Sequence, residues 1–218
     1  MSEELAGMDG LKLLGGRLCL DFANTVDPRH GDHQREYLAD YSDLLRWGRR
    51  AGALGEGEER RLLEEASLSP RKAAAAFGRA LALREAVYRV FSALAHGGEP
   101  EAADLETLGV AYLDAMKHSR FVHKDQGFEW APIDKDDAFD RPLWSVARSA
   151  ADLLVSGDLG RIKECPGSDD CGWLFYDSSK NASRRWCSME GCGSRVKMRR
   201  MYARTRAAGA SAKREDRG

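Results

Sequence analysis

No apolar run in the 218-residue sequence approaches the roughly 18 residues of a membrane span. No stretch near Met1 has the make-up of a secretory leader either. Such a chain is expected in the cytoplasm, where thiols stay reduced. Catalytic signatures are missing as well. The five histidines, His30, His33, His96, His118 and His123, never take the spacing of a His-E-x-x-His zinc hydrolase. Neither a glycine-rich phosphate loop nor a G-x-S-x-G elbow occurs. The aspartates Asp134, Asp136, Asp137 and Asp140 cluster without the glycine and terminal glutamate of a calcium loop, so they read as a solvated segment. His30 and His33, with Asp27 and Asp32, read as a surface turn rather than a second metal site. The sequence has no internal repeat and no dimerisation heptad. An enzyme is not expected.

What the chain has is a division of charge. Its net charge of −1 conceals 14 Lys/Arg against 7 Asp/Glu in residues 161–218, and 20 against 28 in residues 1–160. An acidic body with a basic end suggests that the end meets a polyanion while the body does something else. With 43% hydrophobic and 32% charged residues, the composition suits a soluble globular protein of one large or two modest domains.

Four of the five cysteines lie in the basic end. Cys165 and Cys171 are separated by five residues, Cys187 and Cys192 by four, and fifteen lie between the pairs. Pro166, Gly167, Ser168, Asp169 and Gly191 supply turn chemistry inside the pairs, and Gly172 and Gly193 follow them. Three arrangements are open: two disulfides, unconnected core thiols, or one tetrahedral zinc site. Paired knuckles, a reducing compartment and a segment too poor in aliphatics to fold without a staple favour zinc. The first gap is slightly wider than the usual two to four residues. Four protein ligands leave no open coordination position, so a single structural Zn²⁺ is expected. The fifth cysteine, Cys19, reads as a packed thiol.

From Arg184 to Arg206 the sequence places eight Lys/Arg against one acid, Glu190. As a helix after Gly193, Met198, Met201, Tyr202 and Thr205 share one arc that would dock on the knuckle. Arg195, Arg199 and Arg206 form a strip beside it, and Lys197, Arg200 and Arg204 lie across. Guanidiniums turned outward suit phosphate oxygens. The expected nucleic-acid contacts are Arg184, Arg185, Arg195, Lys197, Arg199 and Arg200, with Trp173 and Trp186 packing around the knuckle rather than stacking on bases.

These residues carry a resemblance. Cys171-Gly172-Trp173, then F-x-D-x-S at Phe175 to Ser179, then Arg184 to Met189, resemble the CGNR zinc finger, found at the C-terminus of proteins described as bacterial transcription regulators. The naming motif reads Cys192-Gly193-Ser194-Arg195, with Ser194 where the family has Asn. The position is not a metal ligand, and Ser is a good helix N-cap.

Upstream, Leu18, Leu20 and Phe22 alternate with Arg17, Cys19 and Asp21, predicting a half-buried strand that runs into a turn at Asn24, Asp27, Pro28 and Gly31. The pattern Gly16, Leu20, Asp21, Phe22, Asn24, Thr25 resembles the opening of the ABATE domain, which precedes the CGNR finger. That resemblance implies a mostly helical domain that senses a small molecule. Arg17, Asp21 and Asn24 are the candidate ligand-binding residues, although turn polar groups more commonly satisfy the backbone.

The rest of the body reads as helices. One spans Tyr41 to Gly52 with a cap at Asp40 or Ser42, with Leu44, Leu45 and Trp47 near one face. Another covers Glu58 to Leu68, with Leu62, Leu63 and Ala66 inward. The longest runs from Ser69-Pro70 to about His96, and a fourth covers about Glu101 to His118, burying Leu105, Leu108, Tyr112, Leu113 and Met116. A β-hairpin around Lys124-Asp125-Gln126-Gly127 is expected to pair with the first strand. A last helix opens at Arg141-Pro142. The expected architecture is mostly α with a small β component: a helical, ABATE-like ligand-sensing domain at 1–157, a treble-clef-like or knuckle zinc finger ending in a basic helix at 161–206, and a flexible tail at 207–218. The expected function is transcription regulation, with DNA as partner, an unidentified small-molecule ligand, no membrane, and a homodimer as one way to read paired half-sites. Protein interaction and RNA binding are the alternatives.

Overall fold

The computed structural model describes residues 7–133, 138–155, 158–167 and 170–215, with backbone alone at 9, 204 and 207–215. Its first element corrects the sequence reading. Leu18–Ala23 is a helix, α1, where alternation predicts a strand. The buried residues are Cys19, Leu20, Phe22 and Ala23, which are neighbours around a helix and not alternate positions of a strand. Close packing holds it. The Asp21 carboxylate accepts the Gly15 N–H at 2.7 Å, and a Cβ at Gly15 would stand 2.7 Å from the Asp21 nitrogen. A two-residue ladder follows, β1 (Val26–Asp27) against β2 (Arg35–Glu36).

Helix α2 (Tyr41–Arg50) starts where Asp40 accepts the Asp43 N–H at 3.0 Å and buries Leu44, Leu45 and Trp47. In α3 (Glu56–Leu68) only Leu62 is fully buried; Leu63, expected inward, is exposed. Helix α4 (Pro70–Ala95) is the central element. Pro70 occupies its first turn, but Ser69 makes no side-chain cap bond. Its small residues Ala73, Ala76 and Ala80 let neighbours approach, and Leu83, Val87, Val90 and Phe91 fill the core. Helix α5 (Ala102–Lys117) buries Asp104, Leu108 and Ala115. Leu105 and Leu113, expected on its inner side, are exposed. Helix α5 packs on α4 and on α6 (Arg141–Val155), and leaves these leucines outside that contact.

The hairpin of β3 (Ser119–Lys124) and β4 (Gly127–Pro132) forms as expected but, among the described residues, pairs with no further strand. The strand it was to join is the helix α1. Asp134, Asp136 and Asp137 lie outside the described residues, and Asp140 accepts from Arg79 at 2.9 and 2.6 Å.

The C-terminal region is sewn into the body. Strands β5 (Ile162–Glu164) and β6 (Leu174–Tyr176) pair antiparallel, and Leu174, Phe175 and Tyr176 are all buried in one apolar core with residues of α1, α2 and α4. The stitches are polar. Asn24, fully buried, donates to the Leu174 carbonyl at 2.8 Å and accepts the Leu174 N–H at 2.9 Å. Tyr176 N–H donates to the Gly15 carbonyl at 2.7 Å, and the Trp173 indole to the Val26 carbonyl at 2.9 Å. The loop after β1 adds Arg29 N–H to the Cys171 carbonyl at 2.8 Å and His30 N–H to the Asp170 carbonyl at 3.0 Å. That loop is itself braced on α4. Arg84 forks onto Glu36 at 2.7 and 2.8 Å, and Arg29 reaches Glu85 at 2.9 Å while covering the Tyr88 ring.

The last helix, α7, runs Ser194–Glu215. It continues through most of the stretch expected as a tail from residue 207.

Replacing Asn24 by Ala strips partners from one buried N–H and one buried carbonyl, each costing about 1–3 kcal/mol. Asn24→Ala should therefore lower the unfolding free energy by roughly 2–5 kcal/mol, measured by urea denaturation. A loss under about 0.5 kcal/mol, within surface-substitution range, would show that the stitch is not a structural tie.

Candidate metal centre and nucleic-acid interface

Two turns bring the cysteines together. In the first, Cys165 N–H donates to the Trp173 carbonyl at 2.9 Å and Gly172 N–H to the Cys165 carbonyl at 3.2 Å. Gly167 is sterically required there: a Cβ would stand 2.6 Å from the Cys171 Cβ and 3.1 Å from the Cys192 Sγ. In the second, Ser188 Oγ accepts the Gly191 N–H at 3.1 Å and the chain passes through a wide turn, Met189–Gly193, into α7. Ser194, in the Asn position of the motif, begins α7 and donates its hydroxyl to the Met189 carbonyl at 3.0 Å.

The Sγ atoms of Cys165, Cys171, Cys187 and Cys192 all lie within 4.8 Å of one another, and all four residues are buried. Cys171 and Cys187 stand 3.7 Å apart, Cys187 and Cys192 3.6 Å. A regular tetrahedron with Zn–S bonds of 2.3 Å has edges of about 3.8 Å. All five cysteines are free thiols, which sets disulfides aside. Four soft sulfur donors, closed to further ligands, fit one structural zinc.

The F-x-D-x-S motif acquires a physical role here. Asp177 has no exposed surface; it accepts from Lys163 at 2.7 Å, from Ser179 Oγ at 2.6 Å and N–H at 3.0 Å, and from Arg184 N–H at 2.8 Å. Burial works to raise its pKa, but Lys163 and these donors hold the carboxyl well below the usual range. Asp177 thereby ties the second turn to β5, a role that the motif's spacing does not reveal.

The same geometry removes Arg184 from the expected nucleic-acid contacts. Its guanidinium donates to the carbonyls of Trp186 (3.0 Å), Leu14 (3.2 Å) and Cys187, and lies 4.4 Å over the Phe175 ring. It belongs to the scaffold. Arg185 is exposed beside Trp186, and Arg195, Lys197, Arg199 and Arg200 are exposed along α7. The apolar arc does not dock on the knuckle as expected: Met198, Met201 and Tyr202 are 46%, 52% and 59% exposed. Trp173 is buried in the body's core, and Trp186 is half-buried over the knuckle.

Residues 16–157 match the family model described as "Putative stress-induced transcription regulator", ABATE, which covers more than half of the chain. The chain belongs to the ABATE family. Residues 161–205 match the CGNR zinc finger. No curated protein is significantly similar to the chain. Both matching families are described by regulation or zinc binding and not by a reaction. Among the described residues, no helix is long and apolar enough to cross a membrane.

Within the ABATE region the three candidate ligand residues do not converge. Asn24 is spent on the Leu174 backbone. Asp21 faces inward on Gly15. Arg17 covers the Tyr176 ring at 4.0 Å and borders a separate surface hollow with Trp130 and Arg148. The polar residues of the opening motif are thus structural ties that alternation alone cannot distinguish from a pocket. Cys19 is the packed thiol expected; burial pushes its pKa up to about 12.

Elemental analysis should return one zinc per chain, and Cys187→Ser should lose it; a full zinc complement in that variant would sink the assignment. Asp21 gives a pH test. Burial raises its pKa to about 6, against a backbone pull downward. The folded state therefore binds the extra proton between about pH 4 and 6, and stability falls as pH rises through that window, by up to about 3 kcal/mol. Asp21→Asn keeps an acceptor for Gly15 without this loss, so its stability advantage over the parent should widen from pH 4.5 to 7. A constant gap in parallel denaturation curves would refute the shift.

Proposed function

We propose that this protein is a cytoplasmic transcription regulator that binds DNA through α7, with its affinity set by a small molecule held elsewhere on the chain. The carrying observation is the exposed row Arg195, Lys197, Arg199 and Arg200 on a helix anchored to a metal-stapled turn. The 22-residue helix is about 33 Å long, and a helix fits the major groove of B-DNA. Arginine keeps its charge and offers a planar fork to phosphate or guanine. Arg185, on the preceding turn, extends the row. A ligand would act by preferring one body–finger arrangement, shifting DNA affinity by no more than its differential affinity for the two states.

One observation favours a second reading. Met198, Met201 and Tyr202 form an exposed apolar stripe along the basic row, and such a stripe suits a protein partner.

The test is genomic fragment selection on the zinc-loaded protein, followed by anisotropy titrations over a range of salt. An enriched motif is expected. Arg199→Ala with Arg200→Ala should weaken binding and lower the slope of log K against log salt by about 2. An unchanged slope removes α7 from the interface, and absence of any selected sequence hands the lead to the protein-partner reading.

A further inference from the structure

Between the loop that follows β1, the knuckle and the first turns of α7 opens a cleft of about 640 Å³. That volume suits a small molecule. Its lining comes from distant parts of the chain, so it exists only while the finger is seated on the body. Three aspartates line it, Asp27, Asp32 and Asp170, with three permanent cations, Lys12, Arg195 and Arg199, and two histidines, and it borders the metal centre through three of the four cysteines. Tyr37, Trp173, Pro28 and Leu14 give it flat apolar walls.

We propose that this cleft binds a small zwitterion: an α-amino acid, or an amino-acid-like molecule, with an apolar or aromatic side chain. The argument is one of charge balance. A simple anion would find its match in Arg195 and Arg199 but would also face Asp27, Asp32 and Asp170. A simple cation meets the opposite problem. Each leaves like charges juxtaposed in a partly dry site, which costs affinity. A molecule carrying both charges matches both walls. Asp27 and Arg195 both line this space. An ammonium sits at Asp27 and a carboxylate at Arg195 and Arg199. The wall that holds Asp27 and Cys192 takes the ammonium, because four thiolates around a dication carry net negative charge. The apolar side chain lies against Tyr37 and Trp173.

The consequence for regulation rests on the function proposed above, since Arg195 and Arg199 belong both to the cleft and to the DNA-facing row. A bound carboxylate draws them from phosphate. Ligand and DNA then oppose each other, each weakening the other by the same factor.

Calorimetric titration of the zinc-loaded full-length protein, without DNA, tests the site. The probes are L-phenylalanine, L-leucine and L-tryptophan, with phenylacetate and phenethylamine as single-charge halves. Saturable binding of at least one amino acid is expected, with each half bound roughly tenfold more weakly or worse. Asp27→Asn, which keeps the side chain's shape and removes the carboxylate assigned to the ammonium, should weaken that amino acid about tenfold. Asp125→Asn, on the separate hairpin, should change nothing. Failure of all three amino acids to bind, equal binding by a half, or indifference to both Asp27→Asn and Arg199→Ala overturns the proposal. No DNA enters these titrations, so loss of the DNA reading leaves their outcome intact, and a failed titration leaves the salt-slope result untouched.

Discussion

Four cysteine sulfurs packed within 4.8 Å of one another form a sound arrangement only around a dication that accepts them as thiolates. Everything after residue 161 depends on that convergence. Between the two turns runs a segment with few aliphatic side chains; its order comes from the metal, from the buried Asp177 hub and from Arg184 bonded to backbone carbonyls. The basic helix begins two residues after the last sulfur, so its starting direction is set by the metal. Asn24 extends the constraint into the body, because its amide meets both polar groups of Leu174, three residues after the first cysteine pair.

Much of this was legible in the sequence, for physical reasons. The zinc site is announced by two close cysteine pairs with turn residues, a pattern that chance seldom produces. Helices α2, α4 and α6 carry their own start signals in Asp40, Pro70 and Arg141-Pro142, together with apolar stripes. The hairpin at Asp125-Gln126 is fixed by local turn chemistry. All of these are short-range, and short-range signals survive without knowledge of the rest of the fold.

The misreadings share a cause: they concern what covers a surface. Leu18, Leu20 and Phe22 alternate, yet α1 is apolar on most sides, and alternation carries no meaning where both faces are buried. The arc of Met198, Met201 and Tyr202 is correctly helical in spacing, but spacing cannot say whether a partner element exists. Arg184 and Arg185 are adjacent and chemically identical, and only the position of Phe175 and the nearby carbonyls sends one inward. The cleft is still less legible, since its walls meet only in three dimensions.

The shared core has one further consequence. Phe175 and Leu174 are packed among residues of α1 and α4 and are not insulated behind a linker, so the finger and body form a single cooperative unit. Metal occupancy then enters the folding equilibrium of the whole protein. Above the dissociation constant, each tenfold fall in free zinc withdraws about 1.4 kcal/mol of stability, a large share of what a domain possesses. The folded fraction of the chain is thus linked to free zinc, independently of any ligand or DNA site.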